Sequence, residues 1–276
     1  MKSIYECRVI SQEPVRPGIM RTLLTGPEIA REAQPGQFVN VQVLRTNDPL
    51  LRRPFSVHAA YPEEGTYSLL YVLVGRGTAL LSRIPAGEMI SVVGPLGRPF
   101  DLGDSPDDDH IVVAGGCGAA PLHLLCDALC RKWTCDKVTV LAGAQGKDSV
   151  ICETEFRAHG VEVGISTDDG SYGFAGTVVD LLEHHLRARD RSRPARAYSC
   201  GPHAMLREVA RVCRESGIAS CQVSLENNMA CGLGVCMGCV QKIRDPGRPK
   251  APNEGWHYER VCTEGPVFNA EDVIWE

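Results

Sequence analysis

Hydrophobic positions in the first hundred residues fall in short β-rich runs: YECRVISQEPV, GIMRTLLTG, GQFVNVQVL, RPFSVHAAY, TYSLLYVLV and EMISVVGPLG. Gly, Pro and Asn-Asp punctuate them at the spacing of an antiparallel barrel or sandwich. One helix, GTALLSRI, is expected to interrupt them, with Thr78 as its N-cap. The polar stretch DLGDSPDDDH, Asp101 to His110, marks a domain boundary. Beyond it the strand-like runs HIVVAGG, KVTVLAGA, VEVGIST, ARAYSCG and ASCQVSL alternate with helical PLHLLCDALCRKW, SVICETEFRAHG, TVVDLLEHHLRAR and HAMLREVARVCRESG. That alternation predicts right-handed βαβ units and a parallel, doubly wound sheet whose ligand site lies at the carboxyl ends of its strands. From Glu226 the alternation stops. The tail is rich in Cys, Gly and Pro, and a segment so small needs a staple or a metal. The chain therefore reads as multi-domain: an antiparallel β-barrel over 1–103, a parallel-sheet α/β unit over 108–225 and a small C-terminal subdomain over 226–276.

Composition narrows the function. The net charge of −5 argues against a nucleic-acid binder, and the one basic cluster, RARDRSRPAR, reads as a solvated loop. The N-terminus has no apolar signal region, and no apolar run approaches the ~20 residues of a membrane span. A soluble, cytoplasmic protein is expected. The 13 cysteines are odd in number and mostly without a framework spacing, which favours reduced thiols and metal ligands over disulfides.

The tail holds the strongest chemical signal, NNMACGLGVCMGC. Its spacing is Cys231-x4-Cys236-x2-Cys239, with Cys262 after a further 22 residues. That is the plant-type 2Fe–2S spacing. Four thiolates must converge on two irons, and close backbone N–H groups must offset their negative charge. Gly232, Gly234 and Gly238 would let the backbone approach and adopt positive φ. Structural zinc and unligated thiols are the competing readings. Cys126 and Cys130, flanked by His123 and Cys135, could be ligands but read as small apolar residues among Leu122, Leu125 and Leu129.

Three glycine-bearing stretches sit where loops meet helices. GRGTALL offers a helix start to a phosphate, or is simply a capped surface helix. AGGCGAAPL follows a buried strand and resembles a dinucleotide turn without the full G-x-G-x-x-G. SCGPHAML ends a strand beside it. In LRRPFS, Arg53 and Ser56 could clamp a pyrophosphate and a ring nitrogen, or form a surface salt bridge.

In this order, the R-P-x-S strand, the G-T helix start, the G-x-G-x-x-P turn and the C-G-P turn resemble the ferredoxin–NADP reductase superfamily. With the cysteine loop, and through PLLRRPFSVH, VVGPLGRPF, DDGSYGFAGTVVDLL and VCTEGPVF, the chain resembles the electron-transfer subunits of NAD-linked (class 1B) dihydroorotate dehydrogenases. The resemblance implies that Arg53, Pro54, Phe55 and Ser56 hold FAD, with Leu70, Tyr71 and Val72 along the flavin and Gly77 and Thr78 at its phosphates. It implies that Gly116, Gly118, Pro121, Cys200, Gly201 and Pro202 frame the NAD⁺ site, and that Cys231, Cys236, Cys239 and Cys262 ligate a 2Fe–2S cluster. It also implies a separate FMN-containing dihydroorotate dehydrogenase catalytic subunit as partner, with two copies of each, and a place in pyrimidine biosynthesis. Flavins handle both two-electron and one-electron steps, so one belongs at each end of a one-electron cluster. Cys117 inside the turn is expected to be an inert small hydrophobe, and Asp168-Asp169 a turn rather than a catalytic dyad; were the pair to approach the adenosine ribose, it would disfavour the 2′-phosphate of NADP by like charge. The alternatives are a flavin/iron–sulfur subunit of a sulfhydrogenase or NADH–ferredoxin transhydrogenase, and a zinc-stapled scaffold on a reductase fold.

Overall fold

The computed structural model describes residues 3–46, 48–218, 220–244 and 255–275. The ends of the expected first and third units, residues 1, 2 and 276, lie outside the described residues, as do 47, 219 within ASCQVSL, and 245–254.

The six β-rich runs become β1 (Ser3–Arg16), β2 (Ile19–Thr25), β3 (Phe38–Gln42), β4 (Arg53–Tyr61), β5 (Thr66–Val72) and β6 (Met89–Leu96). They close a barrel in the order β1-β2-β5-β4-β3-β6, and every pairing is antiparallel. Inward residues such as Val9, Leu24, Val39, Val57, Leu69 and Val92 are fully buried and fill it. Two six-residue helices punctuate the barrel, α1 (Pro27–Glu32) and α2 (Arg76–Leu81). The sequence reading missed α1, since six residues are too few to show a period. In α2, Gly75 rather than Thr78 is the N-cap. Thr78 lies at the third helical position, and its hydroxyl accepts from the Val74 and Gly75 amides at 3.1 and 3.2 Å.

The second layer system contains β7 (Asp109–Gly115), α3 (Ala119–Lys132), β8 (Val138–Ala144), α4 (Glu153–Ala158), β9 (Glu162–Thr167), β10 (Phe174–Ala175), α5 (Val178–Ala188), β11 (Ala195–Cys200), α6 (His203–Glu215) and β12 (Ser220–Ser224). After these come β13 (Val240–Arg244), β14 (Trp256–Arg260) and β15 (Val267–Asn269). The sheet order is β10-β9-β8-β7-β11-β12-β15. All neighbours are parallel except β15, which runs antiparallel to β12 and brings the tail into the same sheet. β13 and β14 form a separate antiparallel ribbon.

Two details place the site. Register aligns Ala114 with both Ala142 and Cys200, so the turns after β7, β8 and β11 share one sheet edge. α3 leans on β4 across the junction of the two units. Cys126 is fully buried in α3 with Leu122, Leu125 and Leu129, in keeping with its apolar reading. No helix among the described residues is long and apolar enough to cross a membrane.

Candidate functional site

The strand β4 is paired on both sides, with Phe38 opposite Ser56 and Asn40 opposite Pro54 on β3. Its start opens onto a cavity of about 430 Å³ lined by Pro54, Phe55, Ser56, Leu70, Tyr71, Val72 and Thr78 on the barrel side. Across from them stand Cys117, Ala120, Pro121 and the segment from Ser224 to Met229. This is the size of a small-molecule pocket. Tyr71 packs its ring on Phe55 at 5.1 Å and commits its hydroxyl to Thr22 at 3.1 Å. Arg53 and Gly77 are not in the lining but touch one another. A Cβ on Gly77 would stand 2.5 Å from Arg53 Nε, so the missing side chain is what lets the guanidinium lie across α2.

The AGGCGAAPL turn is built by glycines with distinct jobs. Gly116 takes φ +52° in open space. Gly118 is a close-approach residue: a Cβ there would lie 2.2 Å from the Cys200 carbonyl oxygen. The turn after β7 thus rests on the backbone of Cys200 and Gly201, which places the AGGCGAAPL and SCGPHAML turns side by side. A second cavity, about 860 Å³, opens over this edge. Gly116 and Pro202 line it, as do Gly18, Cys117, Asp168, Asp180, Glu183, Glu208 and Arg211. Gly118, Cys200 and Gly201 shape the turns rather than line the cavity. Arg211 is tied to Glu208, Glu215 and Glu183 at 2.8, 2.6 and 3.3 Å, so this wall is predominantly acidic.

Val72 and Cys117 line both cavities, which therefore meet there. Burial, with help from the nearby Glu226 carboxylate, pushes the Cys117 thiol up to about 11. It is protonated at neutral pH, as an inert small residue should be. Cys200 is held protonated by the same burial and lies against Ser224. Asp169 is consumed in a turn, accepting from the Ser171 amide and hydroxyl at 2.9 and 2.6 Å, whereas Asp168 lines the larger cavity.

The cysteine loop lies beside the first cavity. Asn40 donates from Nδ2 to the Cys231 carbonyl at 2.9 Å. The four thiols fall into two pairs, Cys231 with Cys236 and Cys239 with Cys262. Among the described residues no three such groups close on a single ion. Pairs of this kind would supply two thiolates to each iron of a two-iron cluster. Burial raises the Cys231 thiol, but the Leu233, Cys236 and Val235 amides and the Cys236 thiol outweigh it and bring it down to about 6. The Leu233 amide reaches the sulfur at 3.3 Å. Burial and the Cys239 thiol push Cys262 up to about 11, while the Gly234 amide pulls against them. Gly232 and Gly234 take φ of +66° and +85° as expected. Gly238 does not, and the third left-handed residue is Met237 at φ +56°.

Three functional features escaped the sequence reading. Glu226 is exposed to the first cavity, and partial desolvation there holds its carboxyl above the usual carboxylate range. Arg260 grips Glu264 with two nitrogens and donates to the Gly234 carbonyl at 2.7 Å, binding the Cys262 turn to the loop. Asn40 is a buried polar residue in a short strand with no spacing to announce it. Only the Arg260–Glu264 pair had a visible signal, its i,i+4 charges around Cys262.

Residues 226–274 match the family described as the iron–sulfur cluster binding domain of dihydroorotate dehydrogenase B. Over 276 residues the chain is 41% identical to the dihydroorotate dehydrogenase B (NAD(+)) electron transfer subunit of Desulforamulus reducens, with 100% of both chains covered. The chain belongs to the family of dihydroorotate dehydrogenase B electron transfer subunits. A Geobacillus kaustophilus member of that family is 38% identical over 96% of each chain. Among solved structures, a chain of an NADH-dependent reduced ferredoxin–NADP oxidoreductase superposes with a TM-score of 0.83 at 28% identity, covering 100% of this chain and 92% of that one. The family's reductase fold agrees with the expected barrel and parallel-sheet plan, and the curated relatives favour the dihydroorotate dehydrogenase reading over the transhydrogenase alternative.

Proposed function

We propose that this chain carries electrons from a dihydroorotate-oxidising partner to NAD⁺ through a 2Fe–2S cluster and FAD. The observation that carries the reading is adjacency: two cavities meet at Val72 and Cys117, and the cysteine loop is bonded to the strand that flanks the first. We assign FAD to Arg53–Ser56, Leu70–Val72, Gly77 and Thr78. NAD⁺ is assigned to the edge framed by Gly116, Gly118, Pro121 and Cys200–Pro202, and the cluster to Cys231, Cys236, Cys239 and Cys262. The units would then be a flavin barrel over 1–103, a nucleotide unit over 108–225 and a cluster unit over 226–276.

When bound, FAD supplies the exchange between two-electron hydride transfer and one-electron transfer. The chain's own residues do the rest. Arg53 presents a guanidinium across α2 to a pyrophosphate. Gly116 lets the backbone approach the nucleotide. Cys117, protonated, stands where the two cavities meet without offering a competing nucleophile. Asp168, Asp180, Glu183 and Glu208 would repel a 2′-phosphate by like charge, which suits NAD⁺ over NADP⁺. The backbone amides around Cys231 offset thiolate charge. The partner is an FMN-containing catalytic subunit, with two copies of each subunit, acting in the cytoplasm.

The test is a spectrum of anaerobically purified protein with iron and flavin assayed. The expected result is about two irons and one FAD per chain. Cys239→Ser should lose iron and keep flavin and NADH oxidation. A colourless protein holding zinc would overturn the proposal.

A further inference from the structure

Asn40 sits on β3 with 1% of its surface exposed, in a strand whose neighbours Val39 and Val41 are core residues. A buried amide in such a place calls for a reason. Its Nδ2 donates to the Cys231 carbonyl at 2.9 Å, a hydrogen bond from the barrel to the cysteine loop. Its Oδ1 has no partner. The loop is shaped to receive it: Gly232 takes φ +66°, and a Cβ there would stand 2.5 Å from Nδ2. The amide therefore lies flat on the Cys231–Gly232 backbone. The other side of Asn40 is fixed just as firmly. Its backbone is in register with Pro54 on β4 and Val93 on β6. Pro54, and Phe38 two residues before Asn40, line the first cavity. Asn40 itself lies outside that lining, so it joins the strand behind the cavity wall to the seat of the first cysteine without touching the cavity.

We propose that Asn40 is a positioning residue for electron exchange, holding Cys231 at a fixed separation from the flavin strand. This rests on the assignment of FAD and the cluster above. Electron exchange falls steeply with separation, so a loop free to drift outward slows that step and leaves hydride exchange at the nicotinamide edge alone. The electrons balance: NADH gives up a hydride to the flavin, whose two electrons leave one at a time through the cluster, the cluster handing the first to the partner subunit's flavin before it takes the second, with release of the hydride's proton.

Asn40→Asp keeps the side chain's shape, removes the donor and turns a carboxylate oxygen toward the Cys231 carbonyl. Asn40→Ala removes the contact without adding charge. Both are compared with the holoprotein by three measurements. Transhydrogenation from NADH to an acetylpyridine analogue of NAD⁺ reads the flavin and nicotinamide half. Stopped-flow bleaching of the cluster by NADH reads the crossing. Hydrogen exchange of residues 231–236 reads the tether directly. The expected result is unchanged transhydrogenation and iron content, cluster reduction slowed at least about tenfold, and faster amide exchange at 232–236. Unchanged cluster reduction in both variants would overturn the proposal, and so would loss of iron, which would make Asn40 a residue of cluster assembly. If the wild-type protein itself fails to transhydrogenate or to reduce its cluster with NADH, the failure belongs to the underlying assignment.

Discussion

At the scale of single residues, the glycines separate into those that need a conformation and those that need space. Gly118 is the clearest case of space. A methyl group there would meet the Cys200 carbonyl at 2.2 Å, and that carbonyl ends a buried parallel strand that cannot shift cheaply. Gly118→Ala is therefore expected to cost about 2 kcal/mol or more of stability and to weaken NADH binding while flavin content stays. Chemical denaturation and an NADH titration check it, and a variant with normal affinity and midpoint would contradict it. Gly118 was legible in the sequence because it belongs to a spaced turn. The cysteines were legible for the same reason, since a metal site imposes spacing. Asn40 and Glu226 were not, because a lone polar residue acquires its role only from what the fold brings opposite it. Gly238 misled for a related reason. Composition pointed to a left-handed glycine, but the loop puts that strain on Met237.

At the scale of elements, the strands were easier to read than the helix starts. SVICETEF has helical periodicity, yet α4 begins only at Glu153, because Cys152 adopts φ +60° and Val150 and Ile151 are buried as an extended segment at the barrel junction. Tertiary burial overrode local pattern there. In the tail, β15 could not be foreseen as an edge strand of the nucleotide sheet, since three residues carry no period. The tail's hold on itself depends on Arg260. It forms paired bonds to Glu264 and reaches the Gly234 carbonyl, so it ties the Cys262 turn to the loop that bears the other three cysteines. Its positive charge also faces Cys262 and Cys239. Arg260→Ala should leave the flavin and the barrel intact while iron falls well below the ~2 per chain of a full cluster. Lysine at this position should rescue little, because a point charge cannot reproduce the fork. Iron assay and the visible spectrum decide; full iron in the alanine variant would show the tie to be dispensable.

At the scale of the whole molecule, the two halves meet through a column of imidazoles. His58 on β4 is 2% exposed, bonds Ser68 at 3.0 Å and faces the Cys152 thiol at 3.8 Å. His123 on α3 stacks on it at 4.7 Å and donates from Nδ1 to the His58 carbonyl at 3.2 Å. That bond leaves His123 Nε2 as the acceptor for His159 Nε2, 3.3 Å away at the end of α4. Arg21–Glu155 at 2.6 Å closes the same junction, and Asp127 lies near His123. Burial holds His58 well below the ordinary histidine range and His123 below it too. On β7, burial brings His110, bonded to Tyr198, down to about 4. These rings stay neutral in the folded state at pH values where the unfolded chain takes protons. The unfolded state then binds more protons, so stability falls as pH drops below about 6.5, by up to roughly 1.4 kcal/mol per pH unit for each such ring. Glu226, raised by partial desolvation, works in the opposite direction, but it is one group against these three rings and His185, which burial also lowers. Denaturant midpoints at pH 7.5 and 5.5 should therefore show a clear loss at the lower value, with net proton uptake on unfolding. Equal or greater stability at pH 5.5 would mean that the imidazole column accepts charge, and that the junction between the barrel and the parallel-sheet unit is looser than its stacked rings and short bonds imply.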